Sequence, residues 1–348
     1  MRYDIRDLLL DAFAHKASDL HITVNSPPYY RVNGELVPYS QVPVTEEDTE
    51  QMAKILLRDE TKWQEFLEKK ELDFSYQVDN VARFRLNVFF QRDAISIVAR
   101  VIASDIPTLD QLQMPPIIKK MVSKPQGLIL VTGPTGSGKS TTLAAMIDYV
   151  NRTQAKHIIT LEDPIEYVHV NQRSIINQRE VGSDTNNFAN GLRAALRQDP
   201  DIILLGEMRD LETIATAITA AETGHLVLGT LHTSSAPLTI ERIIDVFPAE
   251  QQAQIRTQLA SVLEGIISQR LFPRMDGQGR IAATEILVNH PSVANLIRND
   301  KIHQIKNVMQ TSRSLGMHTL EMSIQTLLNQ GIISSEHATP YLMNVGEV

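Results

Sequence analysis

Residues 133–140 combine glycines, a lysine and a hydroxyl group at the spacing of a phosphate-binding loop, G-x-x-x-x-G-K-[ST]. The glycines let backbone N–H groups approach a phosphate, and the start of a following helix adds partial positive charge. In such a loop Lys139 reaches the β- and γ-phosphates, and the Ser140 hydroxyl ligates Mg²⁺. The residues predicted to bind nucleotide are Gly133, Pro134, Thr135, Gly136, Ser137, Gly138, Lys139, Ser140 and Thr141.

The surroundings of this loop strengthen the prediction. Residues 127–132 before it are apolar and partly β-branched, as in a buried strand, and residues 141–149 after it have the pattern of a helix. At average residue frequencies, a chain of this length contains the G-x-x-x-x-G-K-[ST] pattern by chance about one time in a hundred. The flanking strand and helix make chance a much weaker explanation.

Hydrolysis also needs an acid that orients water, and open parallel sheets place such groups at the carboxyl ends of their strands. Glu166 follows the predicted strand 157–161, and Glu207 follows the predicted strand 201–205 after a glycine. A helix cap or a salt bridge explains either acid alone equally well. Two acids at equivalent strand ends favour catalysis, and either could accept the proton. With Ser140, they are also the predicted Mg²⁺ ligands.

Two histidines flank a further predicted strand, 225–231. His225 is its first residue, and His232 follows its carboxyl end, where the side chain could sense a γ-phosphate. A single histidine is more often structural than catalytic. A zinc site is not expected, because no third ligand lies nearby and the chain has no cysteine.

The patterns around these motifs predict two domains. The first alternates short helices and antiparallel strands, including an Asn33-Gly34 hairpin turn and strands 82–89 and 95–102. The second alternates strands and helices as in a parallel sheet covered on both sides. Beyond 235 we expect mainly helices, including one at 249–270, and a strand at 280–288. The predicted boundaries are 1–104 for the first domain, 105–115 for a linker and 116–348 for the second.

Composition excludes several classes of function. A net charge of −8 argues against a broad nucleic-acid surface, so no nucleic-acid partner is expected. The start of the chain lacks the apolar region of a signal peptide, and no apolar run reaches the roughly 18–20 residues that span a bilayer. We therefore expect a cytoplasmic protein that meets a membrane only through partners.

Beyond these individual motifs, the chain resembles the PilT family of type IV pilus retraction motors, within the secretion ATPases, nearly from end to end. The motifs that carry the resemblance are Ser18-Asp19-Leu20-His21, the loop through Thr142, Ile159 to Tyr167, Asp201 to Asp210, Gly224 to His232 and Val293 to Asp300. The last of these departs from the family's usual A-I-R-N-L-I-R-E at three positions.

The resemblance implies an α/β protein with a smaller PAS-like α+β domain followed by a RecA-like P-loop ATPase domain with a parallel-sheet core. It implies a homohexamer that binds ATP and Mg²⁺ between the two domains of one chain. Glu207 would be the catalytic acid with Glu166 in support, and Lys139 and His232 would complete the catalytic set. The arginines expected to approach the phosphates are Arg83, Arg85 and Arg100.

The implied function is ATP-driven pilus retraction and twitching motility, acting at the inner membrane through a pilus platform protein. The alternatives are an accessory retraction paralogue of the PilU type, an adaptor that binds ATP and assists a second motor, or a nucleic-acid translocase. A paralogous retraction ATPase is a further candidate partner. Assembly ATPases usually carry extra N-terminal domains and a four-cysteine zinc site, whereas this chain has no cysteine.

Overall fold

The computed structural model describes residues 3–32, 34–78, 81–102 and 105–342. Asn33 of the predicted hairpin turn and the predicted domain boundary at 104 lie outside these residues. The chain divides into two compact units. The first comprises residues up to Asp105 together with Pro164–Tyr167, and the second comprises Ile106–Asp163 and the chain from Val168 onward.

The first unit packs three helices against a six-stranded antiparallel sheet of order β3-β2-β1-β6-β5-β4. Its helix α2 begins with a capping box, because Thr45 and Asp48 exchange side-chain and backbone hydrogen bonds. The elements are α1 (Ile5–Ala14), β1 (Asp19–Ile22), β2 (Tyr29–Val32), β3 (Glu35–Pro38), α2 (Glu46–Leu57), α3 (Glu60–Lys69), β4 (Glu71–Val78), β5 (Ala82–Gln91) and β6 (Ala94–Ile102).

The second unit contains a seven-stranded sheet of order β13-β12-β7-β11-β10-β8-β9. Its elements are α4 (Ile117–Val122), β7 (Gly127–Thr132), α5 (Lys139–Thr153), β8 (His157–Glu162), β9 (Ile175–Glu180), α6 (Phe188–Ala195), β10 (Ile202–Leu205), α7 (Leu211–Glu222), β11 (Leu226–Leu231), α8 (Ala236–Asp245), α9 (Ala249–Val262), β12 (Leu263–Pro273), β13 (Arg280–Val288), α10 (Pro291–Arg298), α11 (Ile305–Thr311), α12 (Leu320–Asn329) and α13 (Ser335–Leu342), with short 3₁₀ segments at Ile302–Gln304 and Arg313–Leu315.

Alternate residues of the central strands face two hydrophobic cores. Leu128 and Leu130 of β7 pack in one core with α7, α8 and α9, whereas Ile129 and Val131 pack in the other with α4 and α5. The sheet is therefore covered on both faces, as the unbroken apolar strands predict.

The strands from β12 through β9 run parallel, and only β13 is antiparallel to its neighbour. The carboxyl ends of β7, β11, β10 and β8 therefore meet at one edge, which we call the carboxyl edge. Ligands of open α/β sheets bind at such an edge.

The single helix predicted for 249–270 is wrong from residue 263 onward. Helix α9 ends at Val262 and the chain enters β12, beside β7. Gly265 lies near the start of this strand. A larger residue would not fit there, because a Cβ would lie 2.6 Å from the Leu287 carbonyl oxygen of the neighbouring strand. The region beyond 235 is consequently less helical than expected, since β12 joins the sheet, whereas β13 confirms the strand predicted for 280–288.

None of the helices formed by the described residues is long and apolar enough to cross a membrane.

Candidate nucleotide-binding and catalytic site

The P-loop follows β7 directly and leads into α5, which begins at Lys139. Gly133, Gly136 and Gly138 have φ values of +143°, +77° and +88°, a backbone region that favours glycine. Space is also limiting at Gly133, where a Cβ would lie 2.4 Å from the Gln269 carbonyl oxygen. The loop geometry thus requires the glycines that identified it.

The lysine of the loop folds back over the loop itself. Lys139 Nζ donates hydrogen bonds to the carbonyl oxygens of Gly133 at 2.9 Å and Pro134 at 3.1 Å. Gly138 is the N-cap residue of α5 and has no side chain to occupy the first amide groups of the helix. The ammonium group and the helix start together form an electropositive cradle suited to phosphate.

Strand β12 supports this cradle from the side. Gln269 Nε2 donates to the Ser137 carbonyl oxygen at 2.7 Å, and Gln269 Oε1 accepts from Thr142 Oγ1 at 3.0 Å. One residue earlier, the hydroxyls of Ser268 and Thr132 lie 2.7 Å apart. Sequence reasoning missed these contacts because it assigned Gln269 to a helix. The sequence feature that indicates a strand is Gly265 followed by two β-branched residues.

Glu207 lies at the carboxyl edge, two residues after β10, and its side chain is 18% exposed. His232, which directly follows β11, places Nε2 at 2.9 Å from Glu207 Oε1. Arg209 Nε also donates to Glu207 Oε1, and this hydrogen bond raises the pKa of the Arg209 guanidinium. The fold therefore brings together an acid and a histidine that are 25 positions apart in the sequence.

The backbone around Glu207 is fixed by the neighbouring strands. The Gly206 N–H donates to the Leu161 carbonyl oxygen of β8 at 2.8 Å, and the Met208 N–H donates to the Thr230 carbonyl oxygen of β11 at 3.0 Å. The Thr230 hydroxyl in turn donates to the Gly206 carbonyl oxygen. Hydrogen bonds to both neighbouring strands thus fix the backbone from which the Glu207 side chain projects.

The second predicted acid, Glu166, is exposed and lies in Pro164–Tyr167, the segment that groups with the first unit. At the carboxyl edge itself, β8 ends with Glu162, whose Oε1 accepts from Thr160 Oγ1 at 2.6 Å and from Gln178 Nε2 at 3.2 Å. The roles of Glu166 as a supporting acid and metal ligand remain predictions.

Within the described ranges, no group of three or more histidine, aspartate and glutamate side chains could hold a metal ion. Mg²⁺ at nucleotide sites in general keeps several waters and uses few protein ligands besides the substrate phosphates. The Ser140 hydroxyl and the Glu207 carboxylate are oxygen donors of the kind that Mg²⁺ prefers.

The two histidines of the Gly224–His232 motif are separated by the whole of β11. His225 lies at the amino end of the strand, where Nδ1 is 3.0 Å from the Ala220 carbonyl oxygen. At about 3.3 Å per residue, the strand places His225 roughly 20 Å from His232. In the structure, His232 contacts Glu207, and His225 contacts the end of helix α7.

The predicted phosphate-contacting arginines share one face of the first unit's sheet. Arg83 and Arg85 alternate on β5, and Arg100 of β6 lies opposite Arg85. Continuing across the strands, Asp19 lies opposite Arg100, and Arg31 lies opposite Asp19. We call Arg85, Arg100, Asp19 and Arg31 the arginine row.

Asp19 is the buried centre of this row. It is 6% exposed, and its Oδ1 accepts from Arg100 Nε at 3.0 Å. Arg31 Nε lies 3.8 Å from Asp19 Oδ2, and Ser18 Oγ donates to the same oxygen at 2.8 Å. Asp19 thus pairs with two arginines, and Arg85 lies opposite Arg100, so the row carries excess positive charge, which favours an anion. The sequence analysis included neither Asp19 nor Arg31 among the site residues.

The fold and the P-loop define a P-loop protein of the α/β class, and comparison with known proteins gives its family. The chain matches the family of type II/IV secretion system proteins over residues 2–339 and belongs to that family.

Individual relatives are similar over nearly the whole chain. The chain is 49% identical to the type IV pilus retraction ATPase PilT of Pseudomonas aeruginosa over 96% of this chain and 97% of that protein. It is 42% identical to the type IV pilus ATPase PilU of the same species over 92% of this chain and 84% of that protein. A crystal structure of the pilus retraction motor PilT with bound ADP superposes with a TM-score of 0.91, at 47% identity, over 97% of this chain and 96% of that chain.

Proposed function

We propose that this chain is a motor ATPase that hydrolyses ATP to drive type IV pilus retraction. The observation that carries the proposal is the P-loop on the same edge as a carboxylate whose oxygen lies 2.9 Å from a histidine nitrogen. Similarity to retraction ATPases over almost the full length supports the specific activity.

In this proposal the P-loop amides and Lys139 hold the β- and γ-phosphates of ATP, and the Ser140 hydroxyl ligates Mg²⁺. The metal supplies charge neutralisation and orients the phosphates when it is bound. Glu207 orients the attacking water and accepts its proton, while His232 fixes the position of the Glu207 carboxylate. Arg83, Arg85 and Arg100 contribute positive charge that stabilises the phosphate oxygens.

We further propose that the chain works as a homohexamer in the cytoplasm, at the inner membrane, where it acts on the platform protein of a pilus machine. A paralogous retraction ATPase is a candidate partner, in keeping with the similarity to PilU.

The test of the enzymatic proposal is ATP turnover by the purified chain and by Lys139→Ala. Wild type should release phosphate without any second ATPase, and Lys139→Ala should lose essentially all turnover. Lys306→Ala is the matched control, because Lys306 pairs with Glu321 at 2.7 Å on the surface and the variant should keep normal turnover. Negligible turnover by the wild-type hexamer would instead favour an adaptor that binds ATP.

A further inference from the structure

Strand β12 continues the sheet beside β7, so its side chains come next to the P-loop. The register pairs Ser268 with Thr132, the last residue of β7. The following residue, Gln269, is 2% exposed and lies against the P-loop. A buried primary amide is costly unless both its donor and its acceptor groups are satisfied.

Both ends of this amide bind the P-loop segment. Nε2 donates to the Ser137 carbonyl oxygen at 2.7 Å, and Oε1 accepts from Thr142 Oγ1 at 3.0 Å. The reversed amide would place its oxygen against the Ser137 carbonyl oxygen, so the network itself fixes the orientation. The backbone oxygen of Gln269 also closes the space beside Gly133. Gln269 thus contacts the beginning, the middle and the helical continuation of the loop.

These contacts have a consequence for phosphate binding. In a trans peptide the C=O and N–H groups point in opposite directions. Because Gln269 holds the Ser137 carbonyl oxygen toward β12, the Gly138 N–H of the same peptide points away from β12. A rotated peptide would instead direct a carbonyl dipole toward the anion.

We propose that Gln269 is a positioning residue that keeps the P-loop peptides in the orientation that binds phosphate, and so sets nucleotide affinity. This inference rests on the proposed function of the P-loop. It assigns Gln269 no contact with the reacting atoms. The effect of losing it should therefore fall on nucleotide binding and KM more than on kcat.

The direct test is Gln269→Glu, which keeps the acceptor for Thr142 but places an oxygen against the Ser137 carbonyl. The dissociation constant for ADP and the KM for ATP should each rise roughly 10-fold, the effect of one buried hydrogen bond, with kcat within about twofold of wild type. Lowering the pH protonates the buried glutamate and restores a hydrogen-bond donor. The ADP affinity of the variant should therefore approach that of wild type, measured at the same pH.

The control is Ser268→Ala. It removes a buried hydrogen bond between the same two strands, at 2.7 Å, but none to a P-loop carbonyl. Its melting temperature should fall, though less than that of Gln269→Glu, which also buries a charge, while its ADP affinity stays at the wild-type value. Equal losses of ADP affinity in both variants would overturn the positioning role.

Thr142→Val provides a second route if Gln269→Glu does not fold. It removes only the hydroxyl that fixes Gln269 Oε1, and it should weaken ADP binding by about threefold. If wild type binds no ADP, the proposed function itself fails. If wild type binds ADP and turns over ATP, but Gln269→Glu (or Thr142→Val in its place) binds ADP as tightly as wild type, only the inference about Gln269 is overturned.

Discussion

The carboxyl edge and the arginine row both present charged groups suited to phosphate, but they are held in different ways. At the carboxyl edge, Glu207 is 18% exposed and its backbone is hydrogen-bonded to strands on both sides. In the arginine row, the Arg100 side chain is 70% exposed and is anchored by a single buried carboxylate, Asp19. The comparison indicates that the first region is preorganised by its own sheet, whereas the second depends on one anchor.

Glu207→Gln should give the largest effect, because the carboxyl edge has no second acid hydrogen-bonded to His232 in the part of the chain that the structure describes. We expect kcat for ATP to fall on the order of 10³-fold, while ADP binding stays within a factor of two or three. Phosphate release and ADP titration measure the two quantities. Wild-type turnover in this variant would remove Glu207 from its role and leave Glu166 as the remaining candidate.

The two histidines of the β11 motif provide a test within the carboxyl edge. His232→Ala removes the imidazole 2.9 Å from the Glu207 carboxylate, so kcat should fall roughly 10-fold. His225→Ala acts at the other end of the strand and should leave kcat near wild type. The measurement is steady-state turnover of both variants, and equal losses would show that the motif acts through the strand as a whole.

Asp19→Asn tests the dependence of the arginine row on its anchor. The amide keeps the shape but loses the charge that holds Arg100 at 3.0 Å, so kcat/KM should fall several-fold. Arg100→Ala and the double variant with both Asp19→Asn and Arg100→Ala complete a double-mutant cycle. If the anchor acts through Arg100, the two losses will be strongly non-additive. Additive losses would assign Asp19 a separate role, for instance through Arg31.

Much of the carboxyl edge could be predicted because its residues belong to contiguous motifs. The P-loop, the strands before each acid and the capping box at Thr45 depend on local spacing that the sequence displays. The Gln269 contacts could not be predicted, since the alanine- and glutamine-rich start of 249–270 favours a helix and masked the strand. The pairing of Asp19 with Arg100 depends on the register between β1 and β6, which are separated by more than 70 residues.

The last test concerns stability and not catalysis, at a partly buried imidazole of the second unit. Burial lowers the pKa of His169 to about 4, and Asp148 only partly opposes this shift. Between that value and the ordinary value of about 6.5, the unfolded chain binds more protons than the folded one, so stability falls as pH decreases through this window. The loss should not exceed roughly 3 kcal/mol.

Denaturant unfolding of wild type and His169→Gln at several pH values from 7 to 4 measures this slope. The variant lacks the titrating group, so its stability should depend less on pH over that window. An unchanged slope would show that other groups cause the loss of stability in acid.

The central claim is that ATP hydrolysis at the carboxyl edge drives retraction of pili, and cells that lack the gene test it most directly. We predict abundant surface pili and no twitching in the deletion strain, with motility restored by the wild-type gene but not by the Lys139→Ala variant. A strain without pili would mean that the chain drives assembly. Normal pilus numbers with normal twitching would equally contradict a retraction motor.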